Sequence, residues 1–131
     1  MTDQTTACSF CRLDPAQLVM ANELAVAVYD THPVTKGHTL LIPRRHMGSF
    51  FEATEAERDA LFALLAAMRE QLLATHRPDG FNIGINDGIA AGQTVMHLHI
   101  HLMPRYLDDT ADPRGGVRWI IPDRAPYWKR R

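Results

Sequence analysis

The stretch that most constrains this chain is Val95–Met103, where a histidine stands at every second position. Its three histidines are His97, His99 and His101, and apolar residues fill the positions between them. Alternate side chains of a β-strand face the same side and repeat about every 6.5–7 Å, so the pattern predicts a strand with three imidazoles in a row on one face. A simple packed core does not require three titratable rings in line. The stretch therefore predicts a functional site.

Two chemistries use histidines at this spacing. An H-x-H pair can hold one metal ion, but the third ring of an ideal strand lies about 13 Å from the first, too far for the same ion. Alternatively, one neutral imidazole attacks phosphorus while its protonated neighbour donates to the leaving group. The preceding Gly92-Gln93-Thr94 supplies an amide and a hydroxyl suited to phosphate oxygens. Phosphate chemistry fits the row better, and a metal-dependent enzyme with the triad as ligands is the alternative.

Apolar runs elsewhere predict an antiparallel α+β domain. The predicted strands, besides the histidine stretch, are Leu18–Met20, Leu24–Tyr29, His38–Ile42, Phe81–Asn86 and, less regular, Val117–Ile121. Thr54 and Glu57 form a capping-box pattern, and apolar residues then recur with helical spacing until near His76. We expect a sheet of about five strands with one long helix packed on it, in a single domain spanning residues 1–131, with residues 1–7 frayed and residues 107–131 an irregular extension.

Composition and charge exclude several classes of protein. The 131 residues carry a formal net charge of -1 with histidines neutral, which does not suggest a nucleic-acid or membrane-surface partner. No apolar run approaches the ~20 residues of a membrane span, and the N-terminus has no basic-then-apolar signal segment. We therefore expect a cytoplasmic protein, in which Cys8 and Cys11 stay reduced unless a metal holds them.

Three motifs together resemble the histidine triad superfamily. His97-Leu98-His99-Ile100-His101-Leu102-Met103 matches its H-φ-H-φ-H-φ-φ signature, in which φ is apolar, at every position. The upstream segment 33–38 resembles the P-x-x-x-G-H loop of that family, and segment 92–95 resembles its G-Q-[ST]-V. The resemblance implies the family's fold and a nucleotide-binding homodimer. It also implies hydrolysis or transfer of nucleoside monophosphates through a covalent nucleotidyl-histidine.

Carried over position by position, the resemblance assigns roles to individual residues. His99 would be the nucleophile, with its Nδ1 proton held by the main-chain carbonyl of His97, and His101 the acid beside the phosphate or leaving group. The remaining matches are His38 supporting the triad, Gln93 and Thr94 at the phosphate, Asp30 at the ribose hydroxyls, and Asn86 near ribose and phosphate. Asp30 could instead be a turn residue before Pro33. Together with His99 and His101, these positions predict a site for a purine nucleotide or dinucleoside polyphosphate.

Some details favour the dinucleoside polyphosphate hydrolase branch over the phosphoramidase branch. Thr94 stands where phosphoramidases usually have serine, and Met103-Pro104-Arg105 replaces their glycine pair. A divalent cation could accompany a polyphosphate substrate. A phosphoramidase and a nucleotide-binding scaffold with incidental hydrolysis are the alternatives.

The C-x-x-C pair, Cys8 and Cys11, is half of a tetrahedral zinc site. Some prokaryotic triad proteins are similar in completing such a site with two histidines, which here are His46 and His97. The resemblance thus implies structural zinc, against unligated cysteines or a redox pair. In the tail, Arg118 and Trp119 could meet substrate or the partner subunit, or Trp119 and Trp128 could simply pack on the domain.

Overall fold

The computed structural model describes residues 7–129, so most of the predicted frayed N-terminus lies outside the described residues. Five strands form one antiparallel sheet: β1 (Leu18–Ala21), β2 (Ala25–Tyr29), β3 (Thr39–Pro43), β4 (Gly80–Gly84) and β5 (Ile100–Arg105). Their spatial order is β1-β2-β3-β5-β4. One long helix, α1 (Glu55–Thr75), lies between β3 and β4 in sequence. The predicted α+β architecture, with five antiparallel strands and one long helix, is confirmed.

The helix begins at the predicted capping box. The Thr54 hydroxyl accepts from the Glu57 amide at 3.1 Å, and the Glu57 carboxylate accepts from the Thr54 amide at 2.9 Å. The helix ends at His76, its C-cap. Its buried apolar residues are Leu61, Leu64, Met68 and Leu72. They form the main core with the sheet, and the partly buried Leu65 packs against that core.

Strand alternation gives the sheet two different faces. Ala27, Leu41 and Ile100 point to the helix and join the main core. The opposite face carries a smaller apolar cluster that includes Val28 and Leu40. Because Leu40 pairs with His101 across β3 and β5, the His101 ring also stands on this second face, away from the helix. The sheet therefore separates the hydrophobic core from the histidines.

The histidine stretch is a strand only in its second half. β5 begins at Ile100, and residues 95–97 form a bend, so the predicted strand over Val95–Met103 is wrong in its first part. Pro43, where β3 ends, has no N–H to donate, and its carbonyl accepts instead from the His97 ring at 2.7 Å. The Leu98 amide donates to the Met47 carbonyl at 2.7 Å. The pairing between β3 and β5 ends at Ile100, so His97 and His99 lie before the strand and only His101 lies within it.

Two smaller predictions also need correction. β4 spans Gly80–Gly84 rather than 81–86, so Asn86 lies beyond the strand. The predicted strand at 117–121 is a 3-10 helix, Gly116–Ile120. It starts after Gly115, whose φ of 93° belongs to the left-handed region, and an added Cβ there would meet the Trp128 ring at 3.2 Å. The glycine turn starts a helical turn where the apolar run alone suggested extended chain.

The described residues contain no helix long and apolar enough to cross a membrane.

Candidate functional site

A cleft of about 700 Å³ opens on the sheet face opposite the helix. The predicted nucleotide residues that line it are Asp30, Asn86, Gln93, Thr94, His99 and His101. They come from the end of β2, which Asp30 directly follows, from the loop after β4 and from the histidine stretch. The structure therefore brings six residues that are far apart in sequence to one surface, as a nucleotide site would require.

The His99 ring is oriented by the main chain. Its Nδ1 stands 2.9 Å from the carbonyl oxygen of His97, which can only accept a hydrogen bond. The Nδ1 atom must therefore carry the proton, and in the neutral ring the lone pair is on Nε2. This is the tautomer that a nucleophilic imidazole requires.

A second proton arrangement connects His38 and His101. The Val34 amide donates to Nδ1 of His38 at 3.1 Å, so the proton of a neutral His38 is on Nε2. That Nε2 lies 2.9 Å from Nδ1 of His101. His101 consequently accepts through Nδ1 and carries its own proton on Nε2. The Val34 amide thus donates to His38, and His38 donates to His101, which leaves Nε2–H of His101 as a donor. The ring centroids of His101 and His99 are 5.0 Å apart.

Burial keeps these rings neutral. Desolvation, the largest cause, and repulsion from His99 and His38 together lower the pKa of His101 to about 4, against the attraction of Asp30. Desolvation also lowers the pKa of His38, against the attraction of Asp30, whose carboxylate is 3.5 Å from Nε2. At pH 7 both rings are therefore uncharged donors.

Asp30 serves the turn as well as the cleft. Its Oδ1 accepts from the His32 amide at 2.8 Å, the turn role considered above, and its Oδ2 faces His38. Asp30, His38 and His101 also lie close enough to share one ion, with ligand atoms within 4.8 Å of one another. However, the proton on His38 Nε2 occupies the lone pair that a metal would need. The geometry therefore favours a hydrogen-bonded relay over metal-bound triad histidines.

Gln93 has a different surrounding from the one that a direct phosphate contact suggests. Its Oε1 accepts from the Gly88 amide at 2.8 Å, and its Nε2 donates to the carbonyls of Gly48, at 2.8 Å, and Val95, at 3.2 Å. The side chain is buried, and these bonds hold the loop that leads to Thr94. Gln93 thus shapes the wall of the cleft next to the exposed Thr94, and both residues line the cleft.

The remaining predicted residues form a separate cluster next to the cleft. Cys8, Cys11, His46 and His97 offer ligand atoms that all lie within 4.8 Å of one another. Nδ1 of His97 is 3.4 Å from each thiol, and Nδ1 of His46 is 3.3 Å from Cys11 Sγ. Zn–S and Zn–N bonds at a tetrahedral angle would place sulfur and nitrogen about 3.5 Å apart. The donor set and its spacing therefore fit a tetrahedral metal site.

The His97 ring has the tautomer of a metal ligand. Its Nε2 is 2.7 Å from the Pro43 carbonyl and must carry the proton, so the Nδ1 lone pair points at the thiols. Burial lowers the pKa of His97, which keeps the ring neutral. The cluster can thus hold a metal at one end of the histidine stretch while His99 and His101 face the cleft at the other.

Sequence reasoning missed several residues of the cleft wall. Phe10 and Arg12, next to the two cysteines, line the cleft, and the Phe10 ring lies edge-on to His99 with a centroid distance of 5.1 Å. The position of Phe10 between Cys8 and Cys11, two predicted metal ligands, was the available signal.

The two tryptophans of the tail differ in their surroundings. Trp119 is 44% exposed, whereas the Arg114 guanidinium covers the Trp128 ring at 4.6 Å from its centroid.

Comparisons with known proteins agree on one family. The HIT domain matches residues 12–108. A HIT-like protein of Mycoplasma genitalium is 36% identical over 106 residues, covering 78% of this chain and 75% of the relative. An adenylylsulfatase of Arabidopsis thaliana is 29% identical over 102 residues, covering 75% and 52%.

Solved structures extend the agreement to the fold. The crystal structure of a zinc-bound histidine triad family protein from Mycobacterium smegmatis superposes with a TM-score of 0.75 at 32% identity, covering 82% of this chain and 81% of that one. With the triad signature in its sequence, His99 and His101 lining the cleft and the HIT domain matched over residues 12–108, this chain belongs to the HIT domain family.

Proposed function

We propose that this protein is a nucleotidyl hydrolase or transferase that uses His99 as its nucleophile. The observation that carries the proposal is the 2.9 Å contact from His99 Nδ1 to the His97 carbonyl, which leaves Nε2 with its lone pair. His99 lines the same cleft as the predicted ribose and phosphate residues. Family membership supports the same reaction class, since HIT proteins are generally nucleotide hydrolases or transferases.

The reaction follows from the proton positions. His99 Nε2 attacks the α-phosphorus, a P–N bond forms, and the bond between phosphorus and the leaving group breaks. The bound phosphate raises the pKa of His101, so the ring takes up a proton from solvent when the substrate binds; the resulting imidazolium gives its Nε2 proton to the leaving group and becomes neutral again. Water then attacks the phosphorus and the P–N bond to His99 breaks. The water proton returns to His101, and a nucleoside monophosphate leaves.

Within this class we propose dinucleoside polyphosphates as the first substrates to test. Thr94 and the sequence Met103-Pro104-Arg105 support this choice, because they resemble the dinucleoside polyphosphate hydrolase branch. Arg12, the one lysine or arginine among the described residues that line the cleft, would face the polyphosphate chain, and a divalent cation bound to the chain would balance the remaining charge. Adenosine phosphoramidate, with less charge, is the alternative substrate, and adenylyl sulfate joins the panel because one relative is an adenylylsulfatase.

The decisive experiment traps the intermediate. Rapid mixing with each substrate, followed by denaturation and peptide mass spectrometry, should find one nucleotidyl group on His99, and the His99→Ala variant should carry none. A His99→Ala variant that turns over at a near-native rate would contradict the mechanism. Values of kcat/KM far below about 10⁴ M⁻¹s⁻¹ across the panel would favour a nucleotide-binding scaffold instead.

We propose that the cluster of Cys8, Cys11, His46 and His97 holds zinc. The donor set, the spacing and the zinc-bound mycobacterial relative support this choice. The ion would supply a fixed cross-link between the N-terminal segment and the histidine stretch. Elemental analysis of protein purified without added metal should find about one zinc per chain, and a content well below one would contradict the proposal.

We also propose, from the family resemblance, that the protein is a homodimer. Light scattering of the purified full chain should give twice the mass of one chain, and a monomer at micromolar concentration would contradict this.

A further inference from the structure

The N-terminal segment that bears the cysteines also forms a wall of the cleft. We call residues 8–13 the cysteine loop. Cys8 and Cys11 approach His97, while Ser9, Phe10, Arg12 and Leu13, in the same six residues, line the cleft. The metal ligands and the nucleotide-facing residues therefore alternate along one short piece of chain.

Side chains, more than a sheet ladder, hold this loop in place. The Cys11 and Arg12 amides donate to carbonyls inside the loop, those of Cys8 and Ser9, at 3.2 and 3.3 Å. Phe10 and Leu13 pack on the small apolar cluster of β2 and β3. The approach of both thiols to His97 is the connection between the loop and the histidine stretch. A metal ion would convert it from weak thiol contacts into coordinate bonds.

Phe10 connects this cross-link to the nucleophile. Its ring lies between the cluster and the cleft, with centroids 6.0 Å from the His97 ring and 5.1 Å from the His99 ring, edge-on in both cases. His97 itself contacts the thiols through its ring and holds His99 through its carbonyl. Two routes therefore lead from the metal cluster to His99, one through the Phe10 ring and one through the main chain.

We propose that metal at the Cys8–Cys11–His46–His97 cluster and nucleotide in the cleft bind with positive coupling, and that Phe10 is the positioning residue that carries it. Bound metal holds the cysteine loop, so the Phe10 wall and the His99 ring are already ordered when the nucleotide arrives. Without metal, nucleotide binding must also order the loop, which lowers its affinity. The inference rests on the proposed function only in requiring that the cleft bind a nucleotide.

Thermodynamic linkage gives the proposal a quantitative form. If metal tightens nucleotide binding by some factor, nucleotide must tighten metal binding by the same factor. Couplings of this kind are typically about 5–150-fold, and we expect roughly tenfold here because only one wall of the cleft is involved. A purely structural metal site, by contrast, would leave the affinity of a folded cleft for nucleotide unchanged.

The experiment measures both sides of the linkage with the full chain and AMP as the probe. Calorimetry gives the AMP Kd of the zinc-loaded protein and of the chelator-treated protein, each checked for native circular dichroism. Competition with a chromophoric chelator gives the zinc affinity with and without saturating AMP. We expect the two ratios to agree at about tenfold. AMP affinities within twofold of each other would overturn the coupling while leaving the proposed function standing.

Variants keep the test decisive if the metal-free protein does not stay folded. Phe10→Ala retains all four metal ligands and should still bind one zinc, but the effect of AMP on zinc affinity should fall below about twofold. Phe51→Ala is the matched control, since Phe51 is 83% exposed and lies outside the cleft, and it should keep the full ratio. An unchanged ratio in Phe10→Ala overturns the role of Phe10. If AMP binds in neither metal state, both the proposed function and the coupling are overturned.

Discussion

At one end of the histidine stretch the His97 ring faces the thiols of Cys8 and Cys11, and at the other end the His101 ring faces His38. His97 and His101 lie on the same short segment, and burial lowers the pKa of both. What differs is the backbone group opposite each ring. The Pro43 carbonyl accepts a hydrogen bond from Nε2 of His97, so the lone pair of His97 is on Nδ1, where a metal could bind. The Val34 amide donates to Nδ1 of His38, so the proton of His38 is on Nε2, which must act as a donor. At each end a single main-chain group thus fixes the tautomer, which suits the His97 ring to the proposed metal and the His38 ring to the proposed proton relay.

The most damaging change to the catalytic end is His99→Ala. Loss of the nucleophile should lower kcat/KM by at least about 10⁴-fold, because the nucleotidyl intermediate can no longer form. Steady-state hydrolysis of the best substrate and far-UV circular dichroism measure the effect and the fold. His76→Ala, a histidine change outside the cleft, should stay within a few-fold of wild type. Comparable losses in both variants would contradict a specific role for His99.

At the other end of the stretch, removing the proposed metal should lower the thermal stability of the protein. We expect excess chelator, or the Cys8→Ser and Cys11→Ser double variant, to lower the melting temperature by roughly 10 °C, because a tightly bound ion stabilises the native state by several kcal/mol. Differential scanning calorimetry measures the shift. Ser9→Ala, between the two cysteines, is the control and should melt close to wild type. A melting temperature unaffected by chelator would contradict the zinc site.

The long helix could be predicted from local sequence, and the cysteine–histidine cluster from the family resemblance. The capping box of Thr54 and Glu57 and the helical spacing of Leu61, Met68 and Leu72 are local patterns, and the structure confirms both. The grouping of Cys8 and Cys11 with distant histidines followed from the family resemblance, and the structure brings the four residues together.

What could not be predicted depends on contacts between distant segments. The predicted strand over Val95–Met103 begins only at Ile100, and the His97 ring before it is hydrogen-bonded to the carbonyl of Pro43, a residue 54 positions away. The bonds of Gln93 to Gly48 and Gly88 need the folded loop, so its shaping role was not visible in the motif. Phe10 carries no motif of its own, and only the fold places its ring against His99.

A variant at His38 tests the proton relay without removing a reacting group. His38→Ala should lower kcat by roughly 10–100-fold, because His101 loses the donor that directs its proton toward the cleft and a buried acceptor is left unpaired. His38→Gln keeps an N–H donor and should recover part of that loss. Single-turnover kinetics separate chemistry from binding. Equal losses in the two variants would mean that His38 acts by packing rather than by donating to His101.

The smallest expected effect is on the pH dependence of stability. The pKa of His101 is about 4 in the folded protein and near 6.5 in an unfolded chain. Between these values the unfolded state binds a proton that the folded state refuses, so the free energy of unfolding falls as the pH drops from 6.5 to 4. In the His101→Asn variant, the loss of stability between pH 7.5 and pH 4.5 should be smaller than in wild type by roughly 1–2 kcal/mol. Urea unfolding at the two pH values measures the difference.

The exposed His32 provides the control, because His32→Asn should keep the wild-type loss of stability between the two pH values. If His101→Asn also keeps it, the relay end is not held neutral by burial, and the contrast between the two ends would rest on the metal cluster alone.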